Sequence, residues 1–218
     1  MGLYRLNVSE ISNDSELRKP DGNSCKQEQY FNYEDILHFF DIKTKTIDGD
    51  KIQKYFFNKG EYDIFLSHSS QDIEEVKKLQ QYLENKNFEV FVDSMVWGNY
   101  KEIFKEIKQK FKDNENEYEY VFAHLHVMLL SALENVIKNT EYFIFIDSKN
   151  SIDITKIYSP WIFYELNVAN NYYSPSPSPS PIPIGIYTES LTIQRNVSSF
   201  IDNFESITAE KFKKIFNK

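Results

Sequence analysis

A single glutamate stands in an apolar stretch of this sequence, SPWIFYEL, where Glu165 is surrounded by Trp161, Ile162, Phe163, Tyr164 and Leu166. A carboxylate among aromatics can act in two ways. Desolvation raises its pKa and makes it an acid, whereas a cation brought beside it holds it ionised as a stabilising charge. On a helix Trp161 and Glu165 are four residues apart and share a face, which sets an indole next to the carboxylate. The bland alternative is a structural glutamate that caps the helix or pairs with a lysine on a solvated face.

Ser67-His68-Ser69-Ser70 form a second group with chemical capacity. Their hydroxyls and backbone N–H groups, at the start of a helix, suit a phosphate. Ser70 serves equally well as a plain N-cap, and His68 as a histidine hydrogen-bonded to its own loop. Asp93 and Trp97 follow the run FEVFVD and belong either to the site or to simple loop packing. His124 and His126, in AHLHVMLL, invite a metal reading that the spacing rejects. Two residues apart, they project to opposite sides of a helix, and no cysteine or carboxylate completes a zinc pattern. No metal is expected, and His124 is kept as a candidate pocket-lining residue.

The elements that must position these groups can be read from hydrophobic patterning. YDIFLS, FEVFVD, EYFIFID and PIPIGIY are short, nearly continuous apolar runs, as in strands of a parallel sheet buried on both faces. Between the first two, Ile73, Val76, Leu79 and Leu83 recur at helical spacing, with Ser70 as the expected cap. Two further helical patterns follow, one through Ile103 to Phe111 and one through Leu125 to Ile137, with DNENEYE between them. Ser159 and Pro160 provide a cap and a first helical position for the helix bearing Glu165. The repeat SPSPSPSP at residues 174–181 cannot continue that helix and reads as an exposed loop. An amphipathic helix with Phe212, Ile215 and Phe216 on one face closes the chain. Residues 1–60 are polar and irregular, with weak helical patterns at Tyr33 to Phe40 and Asp50 to Phe57. They read as an N-terminal extension packed on a core domain of residues 61–218.

Strands alternating with helices imply right-handed crossovers and an α/β, doubly wound parallel sheet. Ligands bind such sheets beyond the carboxyl ends of the strands, so Ser67 to Ser70, Asp93 to Gly98 and Asp147-Ser148 come first for inspection.

Composition narrows the function classes. The chain has 218 residues, 41% hydrophobic, 16% aromatic and 27% charged, which suits a folded domain rather than a disordered one. Its net charge of -8 works against binding nucleic acid or anionic lipid. Cys25 is the single cysteine, so no internal disulfide forms, in keeping with a reducing, cytoplasmic setting. The N-terminus lacks the apolar core of a signal peptide, and no apolar run is expected to approach the roughly 20 residues needed to span a bilayer. Neither a membrane nor a nucleic-acid partner is expected.

In YDIFLSHSSQD, FEVFVDSMVWGN and SPWIFYEL, taken together and in that order, the chain resembles the TIR (Toll/interleukin-1 receptor) domain family, and more narrowly its free-standing bacterial members. The resemblance covers about Tyr62 to Tyr187. It implies a flavodoxin-like TIR fold and, for catalytic members, cleavage of NAD between nicotinamide and ribose. NAD is then the substrate, with no separate cofactor. The family's WxxxE pattern falls on Trp161 and Glu165, which makes Glu165 the catalytic residue that the resemblance implies. Asp93 and Trp97 match a loop that in TIR domains gates the site or contacts a neighbouring subunit, so TIR–TIR self-association is a further implied partner. Some bacterial members, notably those of Thoeris anti-phage systems, turn NAD into cyclic or modified ADP-ribose signals that activate a separate effector protein. Two departures stand out. Ser69 and Ser70 occupy positions where several animal members carry basic residues, and the first sixty residues lie outside the resemblance.

The residues are adequate to that chemistry. Ordinary glycoside hydrolysis takes two carboxylates, but nicotinamide leaves a positively charged ring without needing a proton, so one carboxylate beside the oxocarbenium-like sugar suffices. Two other readings compete. One is a non-catalytic TIR interaction or adaptor module. The other is a nucleoside deoxyribosyltransferase-like enzyme, indifferent to NAD. A phosphoacceptor receiver domain is disfavoured, because Ser67-His68 stands where its acidic pair would be.

Overall fold

The computed structural model describes residues 2–18, 40–41, 46–51, 54, 61–94, 105, 108–109, 115–153, 156–157, 159–173 and 194–217. The chain divides into two compact units, one of residues 1–25, 61–93 and 137–218, the other of residues 26–60 and 94–136.

The first unit is built on a five-stranded sheet. Its strands are β1 (Gly2–Asn7), β4 (Ile64–Ser67), β5 (Val90–Val92), β6 (Tyr142–Asp147) and β9 (Glu205–Ile207), in the spatial order β5-β4-β6-β1-β9. Every pairing in it is parallel. This is a mixed α/β domain with helices flanking a parallel sheet, a topology of the generic flavodoxin-like or Rossmann type. β2 (Phe40–Asp41) and β3 (Thr46–Ile47) form a separate antiparallel pair in the second unit, and β7 (Lys156–Ile157) pairs antiparallel with β8 (Arg195–Asn196) in the first.

Three of the expected strands sit where the apolar runs placed them. β4 and β5 are buried at every position, as is the middle of β6. Alternation divides their side chains between two faces. On one face Phe65 stacks between Phe91 and Phe143 at centroid separations of 5.2 and 5.1 Å, and Phe204 meets Phe143 edge-on at 5.8 Å. Such pairs contribute about 0.5–1.5 kcal/mol each beyond burial. On the other face Tyr4 and Tyr142 present their rings to Phe216 of the C-terminal segment, at 6.1 and 5.1 Å.

The chain entering β5 is steered by a specific turn. α2 (Ile73–Asn85) buries Val76, Leu79, Tyr82 and Leu83 on one stripe. It ends with Asn87 at φ 62°, and the N–H groups of Phe88 and Asn87 donate to the carbonyls of Leu83 and Glu84. That is the Schellman pattern, and asparagine tolerates its left-handed position better than most residues.

The largest departure from the sequence reading is at the N-terminus. Residues 1–60 were expected to lie outside the core, yet residues 2–7 form β1 in the interior of the sheet, paired with β6 on one side and β9 on the other. Leu6 is fully buried. GLYRLN lacks the unbroken apolar run of the other strands because Arg5 and Asn7 interrupt it. α1 (Val8–Asn13) follows directly, capped by the Asn7 side chain, which accepts from Ser9 N–H at 2.9 Å.

The weak helix expected at Tyr33 to Phe40 lies outside the described residues except for Phe40, which is in β2. The Ser-Pro repeat, PIPIGIY and most of Ile103 to Phe111 also lie outside them. α3 (Glu115–Asn139), whose residues up to 136 belong to the second unit, is longer than the Leu125 to Ile137 pattern suggested. By length and composition its segment Glu119–Asn139, of mean hydropathy 1.4, would be long and apolar enough to cross a membrane. Its apolar character does not show as a continuous run in the sequence, because polar residues such as His124, His126 and Ser131 punctuate the helix.

Candidate functional site

α4 (Pro160–Tyr173) begins as the sequence suggested. Pro160 takes the first helical position and the Ser159 hydroxyl accepts from Ile162 N–H at 3.4 Å. From Tyr164 to Asn170 every residue of α4 is buried, so a side chain there points into protein whichever way it faces. Glu165 is among them, with no exposed surface.

What meets Glu165 is the end of β4. The Ser67 hydroxyl donates to Glu165 Oε2 at 2.5 Å, across 98 residues of sequence. Ser67 shares its face of the sheet with Phe65, so the stacked phenylalanines lie directly below this contact. His68 is buried, with Nδ1 at 3.0 Å from Asp93 Oδ1 and at 3.4 Å from the Leu66 carbonyl. Asp93 is itself only 4% exposed and directly follows β5. Strand order thus brings Ser67, His68, Asp93 and Glu165 together at the carboxyl edge of β5, β4 and β6, where chain order reverses around β4, as ligand sites of such sheets require.

The electrostatics of the cluster centre on Glu165. Burial pushes its pKa well above the usual glutamate value, and the negative charge of Asp93 pushes it further, while the Ser67 hydrogen bond pulls the other way. Glu165 Oε1 and Asp93 Oδ1 are buried acceptors that no well-aligned donor reaches among the described residues. A proton on Glu165 turns one of these acceptors into a donor toward the other, removing a repulsion and an orphaned group together. Burial and the neighbouring Asp93 thus both favour the neutral form of Glu165.

The remaining candidates are distributed unevenly. Trp161, one turn before Glu165, is half-buried. Ser69, not Ser70, is the cap, accepting from Gln71 N–H at 3.4 Å at the start of a short 3-10 turn, Ser70–Asp72. Ser70 is exposed inside that turn. The N-cap of α2 is Asp72, whose carboxylate is buried and binds the Ser148 hydroxyl at 2.5 Å and the Asn150 amide at 2.6 Å. Sequence reading missed this latch between the loops after β4 and β6, since one acid in a helix's first turn looks like any other. An acid at the start of α2 also opposes an anion there. Trp97 lies outside the described residues. His124 is exposed on α3 in the second unit, its ring 4.3 Å from that of Tyr120. His126 on the same helix is half-buried, which lowers its pKa. Among the described residues no group of three His, Cys, Asp or Glu is placed to hold a metal ion. A groove of about 460 Å³ lined by Glu16, Tyr82 and Lys213 among others includes none of the cluster.

No protein-family profile, no curated protein and no solved structure matches this chain.

Proposed function

We propose that the chain is a TIR-type enzyme that consumes NAD, cleaving the bond between nicotinamide and ribose with Glu165 as the catalytic residue. The observation that supports this most is the pairing of a wholly buried Glu165 with Ser67 at the end of β4, beside Asp93. A merely solvated or capping glutamate would have none of these features.

In this reading the cationic nicotinamide ring displaces the proton of Glu165, and Asp93 with neighbouring His68 carries it away. Nicotinamide then leaves with the bonding electrons of the C1′–N bond and becomes neutral, while the ionised carboxylate, held by Ser67, stabilises the oxocarbenium-like ribose. A nucleophile completes the reaction at C1′ and gives up a proton. Water yields ADP-ribose, and a hydroxyl or the adenine of the same molecule yields a cyclic product. A cyclic or modified ADP-ribose signal acting on a separate effector in anti-phage immunity, in the cytoplasm, is the biological role proposed here.

Purified protein incubated with NAD should release free nicotinamide, and mass-resolved products should distinguish hydrolysis from cyclisation. For an enzyme silent until infection, Glu165→Gln tested in infected cells decides the matter. Retained protection would sink the catalytic reading.

A second reading, an association module, draws support from Tyr120 and Val127, which are 67% and 54% exposed on α3. It requires that the protein release no nicotinamide under any condition and that Glu165→Gln be silent.

A further inference from the structure

Phe145 of β6 is in register with Ser67 of β4 on one side and with Arg5 of β1 on the other. Residues in register across parallel strands point to the same face, so Arg5 shares the Ser67 side of the sheet, the side on which Glu165 of α4 arrives. The two flanking strands are about 10 Å apart, a gap matched to a ribose and its 5′-phosphate. On the far side of Arg5 the row ends at Ser206 of β9, which is exposed. The row therefore runs from a closed, acidic end at Glu165 to an open end with a guanidinium.

Among the described residues Arg5 is held but not saturated. Its Nε and one Nη donate to the same oxygen of Asp147, at 3.0 and 2.8 Å, and the two side chains are 28% and 15% exposed. A guanidinium has five N–H donors in a fork suited to phosphate oxygens. The start of α2, where the sequence suggested a phosphate, is instead occupied by Asp72.

We infer that Arg5, contributed by the N-terminal strand, is the anion-binding residue of the Glu165 site, exchanging Asp147 for the diphosphate of an ADP-ribosyl substrate. This rests on the reading of Glu165 as the residue that meets the nicotinamide ribose. It assigns Asp147 a role as well: it neutralises Arg5 when no substrate is bound and competes with the diphosphate when one is.

The test is calorimetric titration of the full chain with ADP-ribose, with nicotinamide riboside as the probe lacking phosphate. Arg5→Met should weaken ADP-ribose binding about tenfold or more, the worth of a charge-assisted hydrogen bond. Asp147→Asn should tighten it several-fold by freeing the guanidinium, which a merely structural ion pair would not do. Affinity for nicotinamide riboside should not change in either variant. Arg5→Met binding ADP-ribose like the wild type, Asp147→Asn failing to tighten it, or no binding of ADP-ribose by the wild type each overturns the inference. If Arg5→Met does not fold, Asp147→Asn decides alone. The two proposals fail separately. Nicotinamide released from NAD by a protein whose ADP-ribose affinity ignores Arg5 removes this inference only. ADP-ribose binding that follows Arg5 in a protein that never cleaves NAD removes the catalytic reading only.

Discussion

Replacing Glu165 with glutamine should abolish nicotinamide release and at the same time stabilise the protein, in a pH-dependent way. The resting Glu165 is pushed above the ordinary value of 4.5 by burial and by Asp93. Below about pH 4.5 the side chain is protonated in both the folded and unfolded chain, and the group exerts no pH-dependent effect. As pH rises beyond that, the unfolded glutamate ionises while the folded one keeps its proton. Folding then loses about 1.4 kcal/mol per pH unit until the pH reaches the raised folded value. Glutamine does not titrate. It is also nearly isosteric, its carbonyl can accept from Ser67, and its amide can donate to Asp93 as the neutral acid does. The variant should therefore match the wild type near pH 4.5 and exceed it by a margin that grows with pH, by up to about 1.4 kcal/mol per unit while Glu165 keeps its proton. For a chain of this length each kcal/mol is about 2–4 °C in Tm. Urea unfolding at pH 5 and pH 8 measures it. A stability difference that does not change with pH, or a variant that is less stable at both, would refute a raised Glu165 pKa. Glu165→Ala is a poorer probe, because it adds a cavity and leaves the Ser67 hydroxyl without an acceptor.

Four other outcomes follow from the geometry. Ser67→Ala removes the hydrogen bond that pulls the Glu165 pKa down, so the acidic limb of the pH–rate profile should move to higher pH while KM changes little. Leu6→Ala should cost about 2–5 kcal/mol in urea unfolding, as for a fully buried leucine, whereas a leucine in a surface extension would cost less than about 0.5. Asp72→Ala strands the Ser148 hydroxyl and the Asn150 amide and should cost about 1.5–3 kcal/mol, the scale of hydrogen bonds to a charged group. Tyr173→Phe removes the hydroxyl that lies 2.5 Å from the Ile137 carbonyl and 2.6 Å from the Thr140 carbonyl. It should cost about 1 kcal/mol and raise amide exchange at the junction of α3 and β6.

The legible parts of the fold were those whose signal is local. The apolar runs of β4, β5 and β6, the helical stripe of α2 and the Ser159-Pro160 start of α4 each carry their own evidence within a few residues. β1 and β9 do not. GLYRLN mixes Arg5 and Asn7 with apolar neighbours, and the three residues of β9 include two exposed ones, so their place in the sheet comes from pairing with β6 and with each other. The capping residue of the turn after β4 was displaced by one, from Ser70 to Ser69, because both are serines and only backbone geometry separates them. The site was half visible in the same sense. Strand-end logic picks out Ser67, His68 and Asp93, and the buried helix picks out Glu165. That Ser67 meets Glu165 while His68 meets Asp93 depends on which neighbour each strand has.

Strand order is also what makes the N-terminal segment matter to the site. Both edges of β6 are occupied, by β4 and by β1, so the row of side chains beside Glu165 continues into β1 and reaches Arg5. With another strand beside β6, a different side chain would stand in register with Phe145. A resemblance confined to Tyr62 through Tyr187 cannot supply that residue, and composition argues against expecting it in a chain of net charge -8. If the proposed dinucleotide is the substrate, an acidic protein would still need a local cation to receive its diphosphate, because long-range repulsion is screened within about 10 Å at ordinary ionic strength while a contact is not. In the proposed reading one correctly registered guanidinium, paired with Asp147 in the structure, would meet that requirement without a basic surface.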